Sequence, residues 1–339
     1  MANSMVIDMH AHVLVPEVEA LVAGTEGRRN ELATQAAWAG PESSAHNRSL
    51  GAGYAPKLTD ITTRLADMDA MGVEMQAICT SPTQYYYWAD PGVAGRIVAA
   101  ANQHLASLVE AHPTRFVGLA AVSLQHPSLA IEQLTHAVRS LGLRGVEIAT
   151  RVGDRELSDE TFDPFWAAAE SLAAVVFIHP ISCTLGERLD RYYLSNVVGN
   201  PVETTAALSH LIFSGTLERH PGLRIVAAHG GGYLPSYSAR SDHAYAVRPE
   251  SHTISRPPSE FLKQIWFDSL VYAPEALRYL IQQVGTSQVV LGSDYPFDMG
   301  VTDPLERVMA AGLSPADRDA VLGGNAARLL GLDEGRMRE

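Results

Sequence analysis

Lysine is nearly missing from this chain: Lys57 and Lys263 are the only two among 339 residues. Cysteine is equally scarce. Cys79 and Cys183 do not make a disulfide framework in a protein of this length, and they read as two reduced thiols of a cytosolic protein. Basic charge is short as well, with 25 Lys and Arg against 38 Asp and Glu and a net charge of −13. Nucleic acids and anionic membrane surfaces reward basic patches, so neither is expected as a partner. A small anionic substrate remains compatible where a few arginines are focused in a cleft. No run approaches the ~18 apolar residues that suggest a membrane span. Residues 1–6 show neither the basic nor the apolar region of a signal peptide. The expectation is a soluble, cytoplasmic protein. What the chain does have is a core: hydrophobic residues make up 46% and charged residues 19%, an ordinary globular balance that argues against disorder.

Eight short apolar runs recur, at 5–10, 75–80, 116–122, 145–150, 175–179, 224–229, 265–270 and 289–294. They are rich in Val, Ile and Phe and nearly continuous, as strands buried on both faces are. Longer stretches with helical spacing separate them. Residues 60–72 place Ile61, Leu65, Met68 and Met71 on one face and end on a glycine. Similar patterns cover 91–112, 128–141, 164–172, 203–218, 274–284 and 304–311, and helix at 314–322 and 325–330 closes the chain. Eight strands alternating with helices predict parallel βα units and a (β/α)8 TIM barrel, expected here as one domain over 1–339. Two stretches exceed a minimal barrel. Residues 13–57 read as an insertion or flap near the active-site mouth, and 181–201 as a long loop with a short helix.

The strand ends carry the chemistry. Residues two apart on a strand point the same way, so His10 and His12 share a face at the end of the first strand. The fifth strand ends on His179, the sixth on His229 and the eighth on Asp294. Each alone reads as readily as a core histidine or a helix cap. Five such residues on four apolar strands, all at the end where barrels place their active sites, point to one centre. A buried aspartate needs a partner, and a metal ion supplies one. Imidazole with carboxylate suits zinc, whose bound water is acidified toward a pKa of about 7. His229 would stand beside that water as acid or base. The glycines at 230–232 lack dinucleotide-site spacing, which argues against NAD.

The segments IDMHAH, FIHP, AAHGGGYLP and LGSDYPFDMG resemble the amidohydrolase superfamily. More narrowly they resemble its branch of 2-amino-3-carboxymuconate-6-semialdehyde decarboxylases and related aromatic-acid decarboxylases. RLADMDAMGV, YYYWADP, RFVGLAAVSLQHP, NPVETT, FSGTLERHPGLRIVAAHGGG and GNAARLLGL extend the likeness over most of the chain. The resemblance implies His10, His12, His179 and Asp294 as ligands of one divalent ion, zinc or else manganese. It implies His229 as the catalytic histidine. It implies Arg240 as a binder of substrate carboxylate, supplied across a homodimer interface, with Arg48 in the insertion as a second candidate. Binuclear amidohydrolases often bridge two metals through a modified lysine ending strand four. That strand here reads GVEIAT, with no lysine near, so one metal is expected, and Glu147 is not expected to bridge a second.

The implied activity is non-oxidative decarboxylation of an aromatic or muconate-type carboxylic acid in aromatic-compound degradation. The proton comes from water and His229, or, in the benzoate-type route, from Asp294. The alternative is a hydrolase or hydratase with the same ligands, acting on a lactone, amide or unsaturated dicarboxylic acid. Departures fall on the pocket. The family's aromatic after the strand-five His-Pro is Ile181 here, its tryptophan is roughly Asn196, and its lysine-bearing segment is not recognisable in 13–57. Tyr85, Tyr86, Tyr87 and Trp88 read as an aromatic wall for a planar substrate or as packing and interface residues.

Overall fold

The computed structural model describes residues 5–181 and 183–332. Eight parallel strands are hydrogen-bonded in the order β1 (Ile7–Val13), β2 (Met75–Thr80), β3 (Phe116–Ala120), β4 (Gly145–Ala149), β7 (Val175–His179), β8 (Arg224–Ala227), β9 (Ile265–Asp268) and β10 (Val289–Val290). Between β4 and β7 a small antiparallel hairpin, β5 (Arg151–Val152) with β6 (Arg155–Glu156), sits outside the barrel sheet. The seam between β10 and β1 is closed by Met9 N–H to Leu291 O, Asp294 N–H to His10 O and His12 N–H to Tyr295 O, each 2.8 Å. The eight apolar runs therefore are the barrel, and β2 and β7 coincide with them residue for residue.

Alternation along each strand divides two cores. On β7, Val175 and Phe177 join an interior cluster with Ile7, Met9, Val117, Val226 and Val290. Val176 and Ile178 face outward and pack with Trp166 and Leu208 of the surrounding helices. Both faces are dry, which is why these strands read as unbroken apolar runs. The interior cluster continues onto Ala326, Leu329 and Leu330 of the closing helix Asn325–Leu330, which covers the end where the strands begin.

The helices follow ordinary local rules. Asp60 caps Ile61–Met71 by accepting from the amides of Thr62 and Thr63. Leu277, Leu280 and Val284 give Pro274–Val284 its buried stripe.

One expected helix is divided, and two stretches carry helix that the pattern did not announce. The stretch 203–218 is two helices, Asn200–Phe213 and Thr216–Arg219, divided at Gly215. The insertion, read without secondary structure of its own, is helical: it forms Pro16–Val22 and Glu26–Thr59, the second bent at Gly40. Gly40 has φ 77°, and a Cβ there would stand 1.8 Å from Asp190 O, so only glycine lets the insertion rest against the 181–201 loop. A further helix, Leu234–Val247, was not anticipated. It buries little besides Leu234, Pro235 and Ser238, so it has almost no apolar stripe to announce it.

Candidate metal centre

A bulge aims the first two histidines. Asp8 pairs with Gln76 and Ala11 with Ile78, so β1 carries one residue more than β2 between these points. Before the bulge the odd residues Ile7 and Met9 face the interior; after it Ala11 and Val13 face the outer core. The slip turns His10 and His12 into the barrel mouth. His179 follows Val175 and Phe177 on the interior face of β7. Asp294 and His229 lie just past their strands, both at positive φ (58° and 54°), a costly backbone that recurs at functional sites.

The outcome is one cluster. Ligating atoms of His10, His12, His179 and Asp294 all lie within 4.8 Å of one another, and all four residues are buried. The Nε2 atoms of His10 and His12 stand 3.3 and 3.2 Å from Asp294 Oδ1. Yet none of these atoms makes a hydrogen bond, and neither ring nitrogen of His179 has a partner. Buried polar atoms without partners are rare, and four side chains sharing the defect at one point need a common partner. Ligands ~2.1 Å from one ion at tetrahedral angles stand about 3.4 Å apart, which matches the spacing found. The three-nitrogen, one-oxygen donor set suits a divalent cation. This is a divalent metal site.

Protonation agrees. Burial and the imidazoles of His12, His10 and His229 push His179 well below its usual range, which keeps it a neutral ligand. Burial opposes ionisation of Asp294, but His10, His12 and His229 outweigh it and hold the carboxyl well below the usual carboxylate range. His10 is buried too, but the carboxylates of Asp294 and Asp268 outweigh this and raise it to about 10, so a cation entering the cluster takes the place of a proton on His10 Nε2.

A second layer that sequence reasoning missed holds the first. Asp268, at the end of β9, accepts from His10 Nδ1 at 2.7 Å, His229 N–H at 2.9 Å, Gly230 N–H at 2.8 Å and Leu270 N–H at 3.1 Å. The first of these bonds leaves His10 Nε2 free to ligate. Asp8 accepts from the Ser293 hydroxyl (2.5 Å), Gln76 Nε2 and the amides of His10 and Ser293, tying β1 to the segment that carries Asp294. The buried Arg64 guanidinium donates to His12 O and to Gln76 Oε1, and stacks on Tyr295. The only sequence signal for Asp268 was its place after IWF at a strand end.

His229 Nε2 lies 3.5 Å from Asp294 Oδ2. His229 also lines a cavity of about 460 Å³ between the loops after β7, β8, β9 and β10, walled by Val197, Leu270, Val271, Tyr272 and Met299 among others. No lysine or arginine among the described residues lines it. Arg240 is exposed on Leu234–Val247 and Arg48 is exposed on Glu26–Thr59. Neither touches the cluster, nor makes an ion pair among the described residues. The aromatic run divides. Tyr86 is buried against the insertion, bonded to Glu19, and Trp88 packs on Gly27. Tyr85 and Tyr87 stack on each other beside the end of β4, where Tyr87 accepts from Ala149 N–H. Glu147 is buried beneath the cluster, 3.6 Å from His12 Nδ1, and burial raises its carboxyl to about 8.

A closed parallel barrel with a buried His3Asp metal site at its C-terminal mouth defines a metal-dependent enzyme of the (β/α)8 class. The chain belongs to the amidohydrolase family, whose model matches residues 7–332. It is 35% identical over 277 residues to 2-amino-3-carboxymuconate-6-semialdehyde decarboxylase of Dictyostelium discoideum, covering 81% of this chain and 77% of the relative. Its fold superposes on 5-carboxyvanillate decarboxylase from Sphingomonas paucimobilis with a TM-score of 0.82 at 27% identity, covering 97% and 99% of the two chains. The dihydroxybenzoic acid decarboxylase of Polaromonas sp. JS666, solved with manganese and 2-nitroresorcinol, shares the fold with a TM-score of 0.80 at 23% identity, covering 99% and 100%. The chain is a carboxy-lyase, a metal-dependent decarboxylase of this superfamily.

Proposed function

We propose that this protein removes CO2 from an aromatic or muconate-type carboxylic acid, with His10, His12, His179 and Asp294 holding one divalent ion, zinc or alternatively manganese. The observation that carries the ligand set is the convergence of four buried, unpartnered side chains on one point, with His229 beside them. A divalent ion held there polarises substrate oxygen and acidifies coordinated water. The chain's own residues do the rest. The apolar cavity beside His229 takes the planar carbon skeleton and excludes water. When the C–CO2 bond breaks, its electron pair stays on carbon and needs a proton there. His229 is placed to hold and deliver it; Asp294, held ionised in the cluster, would first have to take up that proton before passing it on.

The substrate carboxylate needs a cation, and no lysine or arginine among the described residues lines the cavity. Arg240, exposed and unpaired, fills that role from a second copy in a homodimer, with Arg48 as a second candidate. We read the whole chain as one barrel domain with an insertion at 13–57. No described helix is long and apolar enough to cross a membrane. With Cys79 and Cys183 both free, we place the protein in the cytoplasm.

The test is turnover of the zinc- or manganese-loaded protein on hydroxybenzoates and carboxymuconate semialdehydes. The expected result is CO2 in step with substrate loss. Opening of a lactone or amide without CO2 rejects the decarboxylase reading in favour of hydrolysis. His229→Asn should lower kcat about 10²–10⁴-fold while the metal content stays at one ion per chain. Full activity in that variant removes His229 from the chemistry.

A further inference from the structure

His10 is oriented by a plain carboxylate bond to Asp268, 2.7 Å from its Nδ1. His12, across the cluster, is oriented by something else. Its Nδ1 faces Cys79 Sγ at 3.5 Å and Glu147 Oε1 at 3.6 Å. The three residues come from β1, β2 and β4, and their exposures are 0%, 0% and 2%. Both carboxyl oxygens of Glu147 are buried without a hydrogen-bond partner, and so is the Tyr85 hydroxyl. Burying a carboxyl this way is unfavourable unless it serves a neighbour. Cys79 has an acceptor for its own proton, Ala11 O at 3.4 Å. Its sulfur lone pairs are therefore free to face His12.

We infer that Cys79 and Glu147 are positioning residues that together face the Nδ1 proton of His12, the thiol sulfur accepting it and the carboxyl adding a longer electrostatic contact, and so fix the ring for Nε2 to ligate the metal. The inference rests on reading His12 as a ligand. A carboxyl presents oxygen to Nδ1 whether or not it is ionised, so the charge of Glu147 is immaterial here. The same three side chains lie close enough to hold an ion of their own. That arrangement asks His12 to give up both ring protons, whereas donation from Nδ1 asks for one metal and one tautomer. The acceptor is longer and softer than the one on His10, which makes His12 the more easily loosened of the pair.

The experiment is zinc titration against a chromophoric chelator, with thermal melting of the metal-free protein alongside. Glu147→Leu and Cys79→Ala each remove a partner of Nδ1; Glu147→Gln and Cys79→Ser keep one and serve as well-folded controls. The expected result is zinc affinity lowered about 10–100-fold in Glu147→Leu, a smaller loss in Cys79→Ala, and near-wild-type affinity in the two controls. Metal-free melting of Glu147→Leu should change little, because a buried carboxyl whose one long contact is with His12 has been replaced by a hydrocarbon of similar size. In zinc-loaded wild type, ¹⁵N NMR should show a protonated Nδ1 on His12. Wild-type affinity in Glu147→Leu overturns the inference, as does a fall in metal-free melting that parallels the lost affinity. Two zinc ions per wild-type chain, falling to one in Cys79→Ala, overturns it in favour of a second metal site. His179→Ala separates the inference from the reading beneath it. If that variant keeps zinc, the ligand set is wrong; if it loses zinc while Glu147→Leu does not, only the positioning role fails.

Discussion

Asp268 shows how much of a metal site lies outside its ligands. One carboxylate accepts from a ligand ring, from the amide of the proposed acid and base, and from two further amides. Asp268→Asn keeps the shape but leaves a single acceptor oxygen and no charge. It then cannot serve the His10 ring and the amides of His229 and Gly230 together. Zinc affinity should fall about 10–100-fold, as is common when such a partner is lost. At saturating zinc, kcat should still fall, because His229 loses the bond that holds its backbone. Chelator competition and kinetics at saturating metal measure the two effects separately; wild-type values in both reject the role. The five residues first picked out were legible because each ends an apolar strand. Asp268 ends one too, but a single aspartate there reads equally as a cap. What distinguishes it is a bond to His10, 258 positions away, and no local pattern contains that.

At the level of elements, the strands were legible because burial on both faces writes itself as continuous Val, Ile and Phe. The bulge in β1 was not. His10 and His12 share a face, as their spacing requires, but Ile7 and Met9 share the interior with them only because the register slips between Asp8 and Ala11. The insertion and Leu234–Val247 were illegible for the opposite reason, since neither buries a regular stripe. Two glycines test the element-level account. At Gly292 a Cβ would stand 2.7 Å from Asp268 Cβ and 3.1 Å from His10 Cβ, inside the metal site. At Gly145, the first residue of β4, it would stand 2.0 Å from Val175 O on the neighbouring strand, at the opposite end of the barrel. Overpacking typically costs about 1–3 kcal/mol. Both Gly292→Ala and Gly145→Ala should lower the denaturation midpoint of the metal-free protein, whereas only Gly292→Ala should weaken zinc binding. Equal loss of zinc in both would mean that the site responds to global stability and not to the Asp268–His10 contact.

For the whole molecule, charge decides how a carboxylate substrate is met. The chain carries a net charge of −13, and no lysine or arginine among the described residues lines the cavity beside His229. A carboxylate substrate would enter an acidic protein and find, among the described residues, no lysine or arginine of the cavity to meet it. Helix Leu234–Val247 bears Arg240, exposed and unpaired, while Tyr233 and Tyr279 line the cavity rim and are themselves 43% and 44% exposed, with Tyr237 at 66%. Exposed tyrosines around a cavity mouth are what a subunit interface buries. If a twofold dimer brings Arg240 of one copy to His229 of the other, the two residues of one active site belong to different chains. Arg240→Ala and His229→Asn homodimers should then each be nearly inactive. Dissociated, mixed in equal amounts and reassociated, half of the dimers are mixed, and each mixed dimer rebuilds one of its two sites. The mixture should recover about a quarter of wild-type activity. No recovery, with mixed dimers demonstrated by differential tagging, would place Arg240 on its own chain's site; full activity in the Arg240→Ala homodimer would place it outside the reaction.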